Sequence, residues 1–214
     1  MKLYGYFRSS AAYRVRIALN LKGLAYETVP VHLLKDGGQQ LSDSYRSMNP
    51  TALVPTLVDG DLVAGQSMAI LEYLEETHPA PALLPADAKG RVRVRAIAQT
   101  IACDIHPLNN LRVLKYLKHE MGVGEDNKNA WYRHWIAQGL ASVEAMLATS
   151  PETGRYCHGD QPTFADLCLV PQLFNARRFG CDESAFPNIV RIDAACAQLA
   201  AFQQATPDNQ PDSE

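Results

Sequence analysis

No run in this chain of 214 residues is apolar enough to cross a bilayer as a helix, a task that takes roughly 18 or more residues with few charges. The basic excess of a nucleic-acid binder is missing too. Against 20 Lys and Arg stand 23 Asp and Glu, for a formal net charge of -3, which offers phosphates no broad basic face. Cysteine is scarce and poorly spaced for structural use: Cys103, Cys157, Cys168, Cys181 and Cys196 make an odd number with wide intervals and no C-x-x-C pair. Neither a disulfide frame nor a metal site is expected from that pattern. The opening MKLYGYFRSS is too short and too polar for the core of a secretory signal, so residue 1 is expected to belong to the fold and the protein to the cytoplasm. What remains as partners, with no nucleic acid and no membrane, is small molecules or other proteins. Hydrophobic residues make up 47% of the chain, enough for one large core or two smaller ones.

The N-terminal part alternates between two periodicities. Lys2 to Phe7 is aromatic-rich and weakly alternating, whereas Ala11 to Leu21 places apolar residues at helical spacing and closes on Lys22-Gly23, a basic last turn and a glycine stop. Tyr26 to Leu33 reads as a second strand. Pro55 to Val58, the turn Asp59-Gly60-Asp61 and Leu62-Val63 read as a hairpin. Ser67 to Glu76 then sets Met68, Ile70, Leu71 and Leu74 on one helical face before His78-Pro79 stops it. Residues 1–79 are therefore expected to form a domain of β-α-β, a polar connection, then β-β-α. Residues 80–90, rich in proline and alanine, read as a linker. Beyond it, Arg91-Val-Arg-Val-Arg95 runs without a breaker into Ala96 to Cys103, which favours a helix with a basic face over a strand. Further helical windows at Asn109 to Met121, Asn129 to Leu147, Phe164 to Phe179 and Ile189 to Ala205 predict an all-helical domain over residues 91–206. Residues 207–214 are expected to form a frayed polar tail.

Three junctions could carry chemistry. Ser9 and Ser10 stand where the first strand hands over to the first helix. There a hydroxyl and the positive helix end would stabilise an anion or thiolate, or one serine would simply be the N-cap. Asn49-Pro50 and Val54-Pro55 precede the third strand. In a unit related to thioredoxin a proline at this place is often cis and turns its neighbours outward to pair with an extended peptide, while most X-Pro bonds elsewhere are trans. Gly65-Gln66-Ser67 opens the next helix, a second N-terminus that could hold a carboxylate or be plainly capped. Two other features read as structural. Thr163-x-x-Asp166 fits a capping box, and Trp131 and Trp135, four apart, fit packing.

Taken together, these stretches resemble the zeta class of glutathione transferases, the family that includes maleylacetoacetate isomerase and maleylpyruvate isomerase. The resemblance is carried by Ser9-Ser10-Ala-Ala-Tyr-Arg-Val-Arg-Ile-Ala-Leu19, set against the family's S-S-C-x-W-R-V-R-I-A-L, and by Lys35-Asp36-Gly-Gly-Gln-Gln40. Asn49-Pro50, Leu53-Val-Pro-Thr-Leu57, Gln66-Ser67, Leu71-Glu-Tyr-Leu-Glu-Glu76 and Leu83-Leu-Pro85 extend it. Asp166-Leu-Cys-Leu-Val-Pro-Gln172 and Gln210-Pro211-Asp212 carry it to the end of the chain. The doubled serine with R-V-R-I-A-L is specific to the class; V-P-T-L and Q-S are shared by many glutathione transferases. The departures are Ala11 where the family has cysteine and Tyr13 where it has tryptophan. Ala11 counts against a glutaredoxin-like or cysteine-dependent chemistry.

The resemblance implies a fold of class α/β plus all-α: an N-terminal thioredoxin-like domain (β-α-β-α-β-β-α), a C-terminal helical bundle, and a homodimer. It implies glutathione as cofactor, with Ser9 hydrogen-bonding the sulfur and Ser10 beside it. Val54, next to Pro55, would pair with the cysteinyl part, Gln66 and Ser67 would hold the γ-glutamyl carboxylate, and Gln40 and Lys35 would stand at the glycine end. The implied reaction is cis-trans isomerisation of a dicarboxylate maleyl keto acid in aromatic catabolism, with thiolate adding to the double bond and leaving after rotation. Arg8, Arg112 and Arg178 are the candidate substrate anchors, although an arginine on a helix is more often a solvated surface group. Asp104, His106 and Asn110 lie in Asp-Ile-His-Pro-Leu-Asn-Asn, which is expected to interrupt a long helix. His106 and Asn110 would share one helical face toward the cofactor, or the histidine would pack the junction. A conjugating transferase or dehalogenase, and a binding module without turnover, are the alternatives.

Overall fold

Four short strands, β1 (Lys2–Gly5), β2 (Glu27–Pro30), β3 (Thr56–Asp59) and β4 (Leu62–Gly65), form a sheet of order β2-β1-β3-β4 in the computed structural model, which describes all 214 residues. β1 and β2 are parallel, with Leu3 opposite Thr28, and α1 (Ser10–Leu21) makes the crossover that a parallel pair requires. β3 runs antiparallel to β1, with Leu3 opposite Leu57, and β3–β4 is the expected hairpin, with Val58 opposite Val63. Short turns and α2 (Asp43–Met48) connect β2 to β3, and α3 (Ser67–Thr77) follows β4. This is the thioredoxin-like arrangement β-α-β-α-β-β-α. Residues 10–19 of α1 are all buried, Arg14 and Arg16 included. A helix covered on every side leaves such polar groups only internal partners.

By compactness the chain divides into two units, Met1–Leu83 with Ala197–Glu214, and Leu84–Cys196. The second is all helical: α4 (Ala88–Gln99), α5 (Leu111–His119), α6 (Glu125–Ala148), α7 (Phe164–Arg178) and α8 (Pro187–Cys196). Its core includes Val94, Ile97, Ile136, Leu140, Val143, Phe164, Leu173 and Ile189, all buried. The Arg91–Arg95 stretch lies within α4, as its unbroken passage into apolar helical spacing requires. Asp87 caps that helix by accepting the Gly90 N–H at 2.9 Å. Arg93 donates to the Cys157 carbonyl and to Thr153 Oγ1, each at 2.7 Å. Thr163 and Asp166 form the expected capping box of α7. The tryptophans pack edge to face with centroids 5.6 Å apart, and Trp131 Nε1 donates to the Leu108 carbonyl at 2.8 Å.

Two expectations are corrected. The window Ile189 to Ala205 is broken: α8 ends at Cys196, and α9 (Ala200–Ala205) belongs to the first unit, packed on α1. Residues 207–214 are not a frayed tail. Pro207 and Gln210 are buried, Gln210 Nε2 donates to the carbonyls of Gln204 and Thr206, and Asp212 Oδ2 accepts the Phe7 N–H at 3.0 Å. Polar composition suggested fraying because the bonding partners of these groups include some far away in sequence.

Candidate functional site

The register of the sheet decides which loops lie together. The C-terminal ends of the parallel β1 and β2 lead to Arg8, Ser9 and Ser10 and to His32 and Lys35. Since Tyr4 is opposite Thr56, the N-terminal end of the antiparallel β3 carries Val54 and Pro55 to that same end of the sheet. Gly65 is also opposite Thr56, so Gln66 and Ser67 join them at the end of β4.

Ser9 is the N-cap of α1, with φ -70 and ψ 116, and its Oγ accepts the Ala12 N–H at 3.2 Å. A hydroxyl that accepts an amide hydrogen still has its own hydrogen to give, so the cap and a donor to sulfur are one residue in two compatible roles. Ser10 follows as the first helical residue and is buried. Arg8 is half-buried, with its guanidinium 4.7 Å from the Phe7 ring centroid and Nη2 donating to Tyr6 Oη at 2.8 Å. Arg16 holds this junction from below, donating from Nε to the Ala205 carbonyl at 3.0 Å and from Nη2 to the Phe7 carbonyl at 2.9 Å. Burial lowers its pKa to about 10.

The Val54–Pro55 peptide is cis, and a buried amide frames it. Asn49 Nδ2 donates to the Leu53 carbonyl at 3.0 Å and to Thr56 Oγ1 at 2.9 Å, while its Oδ1 accepts from the N–H and the hydroxyl of Thr51. Tyr45 Oη donates to the same Leu53 carbonyl at 2.7 Å. Gln66, exposed, takes φ 64 and ψ 108, the left-handed region that costs a non-glycine residue about 1–3 kcal/mol and that clusters at functional sites. Ser67 opens α3, is buried, and its Oγ accepts from Arg14 Nη1 at 3.2 Å.

Lys35 and Gln40 lie in the connection after β2. The Lys35 ammonium pairs with Glu214 Oε1, and that hydrogen bond and charge raise the lysine pKa and lower that of the glutamate. His32 Nδ1 accepts the N–H groups of Leu34 and Lys35 at 3.1 and 2.9 Å, and its Nε2 is 3.4 Å from Glu214 Oε1. Gln40 is buried, and its Oε1 has no hydrogen-bond partner. Glu214, Asp212 and Arg14 are residues of this region that the sequence reading missed. Each acts across a long stretch of chain, and no local pattern signals such a pairing.

In the second unit the expected interruption occurs, by a different route. After α4 the chain forms a π-helical turn over Thr100–Ile105 and a 3-10 turn over His106–Asn109, and Asn110 then caps α5 by accepting the Arg112 N–H at 3.1 Å. His106 and Asn110 therefore do not share a face of one α-helix. The changes in period and the extended backbone of Asn110 break the spacing of four. Asp104 is exposed and His106 half-buried. Arg112 is exposed on α5 and Arg178 exposed at the end of α7, its guanidinium 5.0 Å from the Phe179 ring centroid. Tyr132 of α6 links these parts: its ring stacks on Phe179, and its carbonyl accepts from Asn109 Nδ2 at 3.0 Å. The neighbouring Arg177 is engaged by Glu183 and Asp193.

The model of the glutathione S-transferase N-terminal domain matches residues 3–82, and that of the glutathione S-transferase C-terminal domain matches residues 129–205. A probable maleylacetoacetate isomerase of Vibrio cholerae is 51% identical over 211 residues, covering 99% of this chain and 97% of the relative. A maleylpyruvate isomerase of a Ralstonia species is 53% identical over 213 residues, covering 100% of both chains. Among solved structures, a holo maleyl pyruvate isomerase described as a bacterial zeta-class glutathione S-transferase superposes with TM-score 0.97 at 52% identity, covering 100% of both chains. A maleylacetoacetate isomerase of Methylobacterium extorquens AM1, solved with bound malonate and glutathione, superposes with TM-score 0.96 at 42% identity over 100% of both chains. With both domain models matched and relatives this similar along its whole length, the chain belongs to the glutathione S-transferase family and, within it, to the zeta class.

Proposed function

We propose that the protein is a glutathione-dependent cis-trans isomerase that converts maleylacetoacetate to fumarylacetoacetate in the catabolism of aromatic amino acids, working in the cytoplasm as a homodimer. The observation that carries this reading is the β1–α1 junction, where the Ser9 hydroxyl takes the Ala12 amide hydrogen and keeps its own hydrogen at the positive end of a buried helix. The residues around it suit glutathione. The α3 N-terminus offers Ser67 and N–H groups to a carboxylate, the Gln40 Oε1 is a buried acceptor lacking a donor, and Val54 follows a carbonyl pinned by Asn49 and Tyr45.

Glutathione, when bound, supplies a thiolate nucleophile that is regenerated in each turnover. Ser9, with Ser10 beside it, holds the sulfur and favours its ionised form. Val54 and Pro55, Gln66 and Ser67, and Lys35 and Gln40 orient the peptide from its cysteine, γ-glutamyl and glycine parts in that order, and Asp104, His106 and Asn110 are further contacts to it. Arg8, Arg112 and Arg178 anchor the two carboxylates of the substrate and stabilise the enolate oxygen that forms as the double bond is attacked. No helix is long and apolar enough to cross a membrane.

Ser9→Ala is expected to raise the pKa of the bound thiol, moving the rising limb of the kcat/KM profile to higher pH. At a fixed pH below that limb, turnover falls about tenfold for every pH unit the limb moves. An unchanged profile would remove Ser9 from this role. Arg178→Ala is expected to raise KM for a dicarboxylate by about tenfold and to leave a neutral electrophile within about twofold, since a charged hydrogen bond is worth roughly 1.5–3 kcal/mol. Equal effects on both substrates would strike it from the anchors. Maleylpyruvate is the second substrate reading, favoured by the 53% identity to the Ralstonia maleylpyruvate isomerase.

A further inference from the structure

Arg14 and Arg16 stand two residues apart in α1, both buried, yet they are treated differently by their surroundings. Arg16 directs its donors to two backbone carbonyls. Arg14 is 1% exposed and donates only from Nη1, to Ser67 Oγ at 3.2 Å; its Nε and Nη2 meet no acceptor, and no acidic side chain pairs with it. A buried guanidinium without a counter-charge is costly to the folded state. Here it sits under the first residue of α3, whose helix end is itself positive, next to a Gln66 held in the left-handed region. Two positive features converge with nothing negative between them, an arrangement that suits an anion supplied from outside.

We propose that Arg14 is the buried positioning cation of the γ-glutamyl carboxylate subsite, acting through Ser67. By donating to Ser67 Oγ it occupies the hydroxyl's acceptor side and leaves the O–H to point away and donate to the carboxylate. Its charge, close behind in a low-dielectric interior, strengthens that bond. This inference rests on the reading that Ser67 holds the γ-glutamyl carboxylate.

The test is calorimetric titration of the full-length protein with glutathione and with γ-aminobutyryl-cysteinylglycine, which lacks only that carboxylate, alongside thermal unfolding without ligand. Arg14→Met keeps the stem and removes the charge. It is expected to weaken glutathione about tenfold or more, the worth of one charged hydrogen bond, and to change the analogue less than about twofold. The melting temperature of the unliganded variant is expected to stay level or rise, because removing an unpaired buried charge relieves its desolvation. Arg14→Lys is expected to recover part of the glutathione affinity. Should Arg14→Met fail to accumulate, Arg14→Gln, which keeps a donor without the charge, carries the same comparison. Loss of affinity for both ligands alike, or for neither, overturns the role of Arg14. Ser67→Ala separates the two levels: if it fails to discriminate between the ligands, the carboxylate reading itself falls, whereas if it discriminates and the Arg14 variants do not, only the inference about Arg14 falls.

Discussion

Asp166→Ala lowers the free energy of unfolding by about 3–5 kcal/mol, combining a lost helix cap with buried donors left unmet. Asp166 is fully buried and accepts hydrogen bonds from the Thr163 N–H at 2.8 Å, from the Thr163 hydroxyl at 2.9 Å and from the Cys157 N–H at 2.8 Å. It therefore closes the N-terminus of α7 and ties the preceding loop to it. Alanine leaves these donors facing the core. Asp166→Asn is not a silent replacement, because its NH₂ group cannot accept, and one carboxylate oxygen's bonds are lost. The carboxyl also has a pH signature. Burial pushes its pKa above the ordinary value, outweighing the pull of the donors. The folded state then binds the proton more tightly than the unfolded chain. Its contribution is fully present below the unfolded value and is lost as pH rises through the folded one. Urea unfolding from about pH 4 upward, near the ordinary carboxylate value, should show the stability of the natural chain falling relative to Asp166→Asn over that window, and a flat difference would contradict the assignment.

Gly139→Ala strikes the other large effect, at the turn that carries Asp104 and His106. A Cβ at Gly139 of α6 would stand 2.1 Å from Ile105 Cγ1 and 2.3 Å from its Cδ1, and Ile105 is buried at the end of the π-helical turn. Glycine is thus required by close approach. Its φ is not in the positive range. The single added methyl group is expected to cost about 2–3 kcal/mol through overpacking and to shift the turn, so that, on the role proposed for Asp104 and His106, glutathione affinity falls with stability. Ile105→Ala removes both clashing atoms and by itself opens a cavity worth about 2–4 kcal/mol. In the double variant the methyl has room, and the combined loss should be smaller than the sum by about 1–2 kcal/mol. Additive losses would place the clash elsewhere.

What was legible in the sequence is what acts over a few residues. Ser9 before an apolar helical run, Thr163 three residues before Asp166, and Asp59-Gly60 inside a hairpin each announce a backbone state by local chemistry, and each is found in place. The junction of Asp104 to Asn110 was legible as a break. Its geometry was not, since a spacing of four assumes one helical period and the chain there passes through π and 3-10 turns. Pro107, followed by an asparagine able to cap, was the signal that a new helix starts at Leu111. Nothing local foretells Gln66 at positive φ, because glutamine has no preference for that region and only the hairpin-to-helix geometry imposes it. The pairs Arg14–Ser67, Phe7–Asp212 and Lys35–Glu214 lie beyond any periodicity. They form when the first helix, the C-terminal segment and the sheet end come together, and polar composition alone made the last eight residues look unstructured.

An isomerase of maleyl keto acids returns its glutathione unchanged, whereas a conjugating transferase consumes it. Maleylacetoacetate and maleylpyruvate turned over side by side, with and without catalytic glutathione and with free thiol followed throughout, separate the two most directly. Isomerisation that requires glutathione while thiol stays constant, fastest with maleylacetoacetate, is the predicted result. No isomerisation of either substrate, or steady loss of thiol with other electrophiles, would contradict it and make the protein a conjugating transferase.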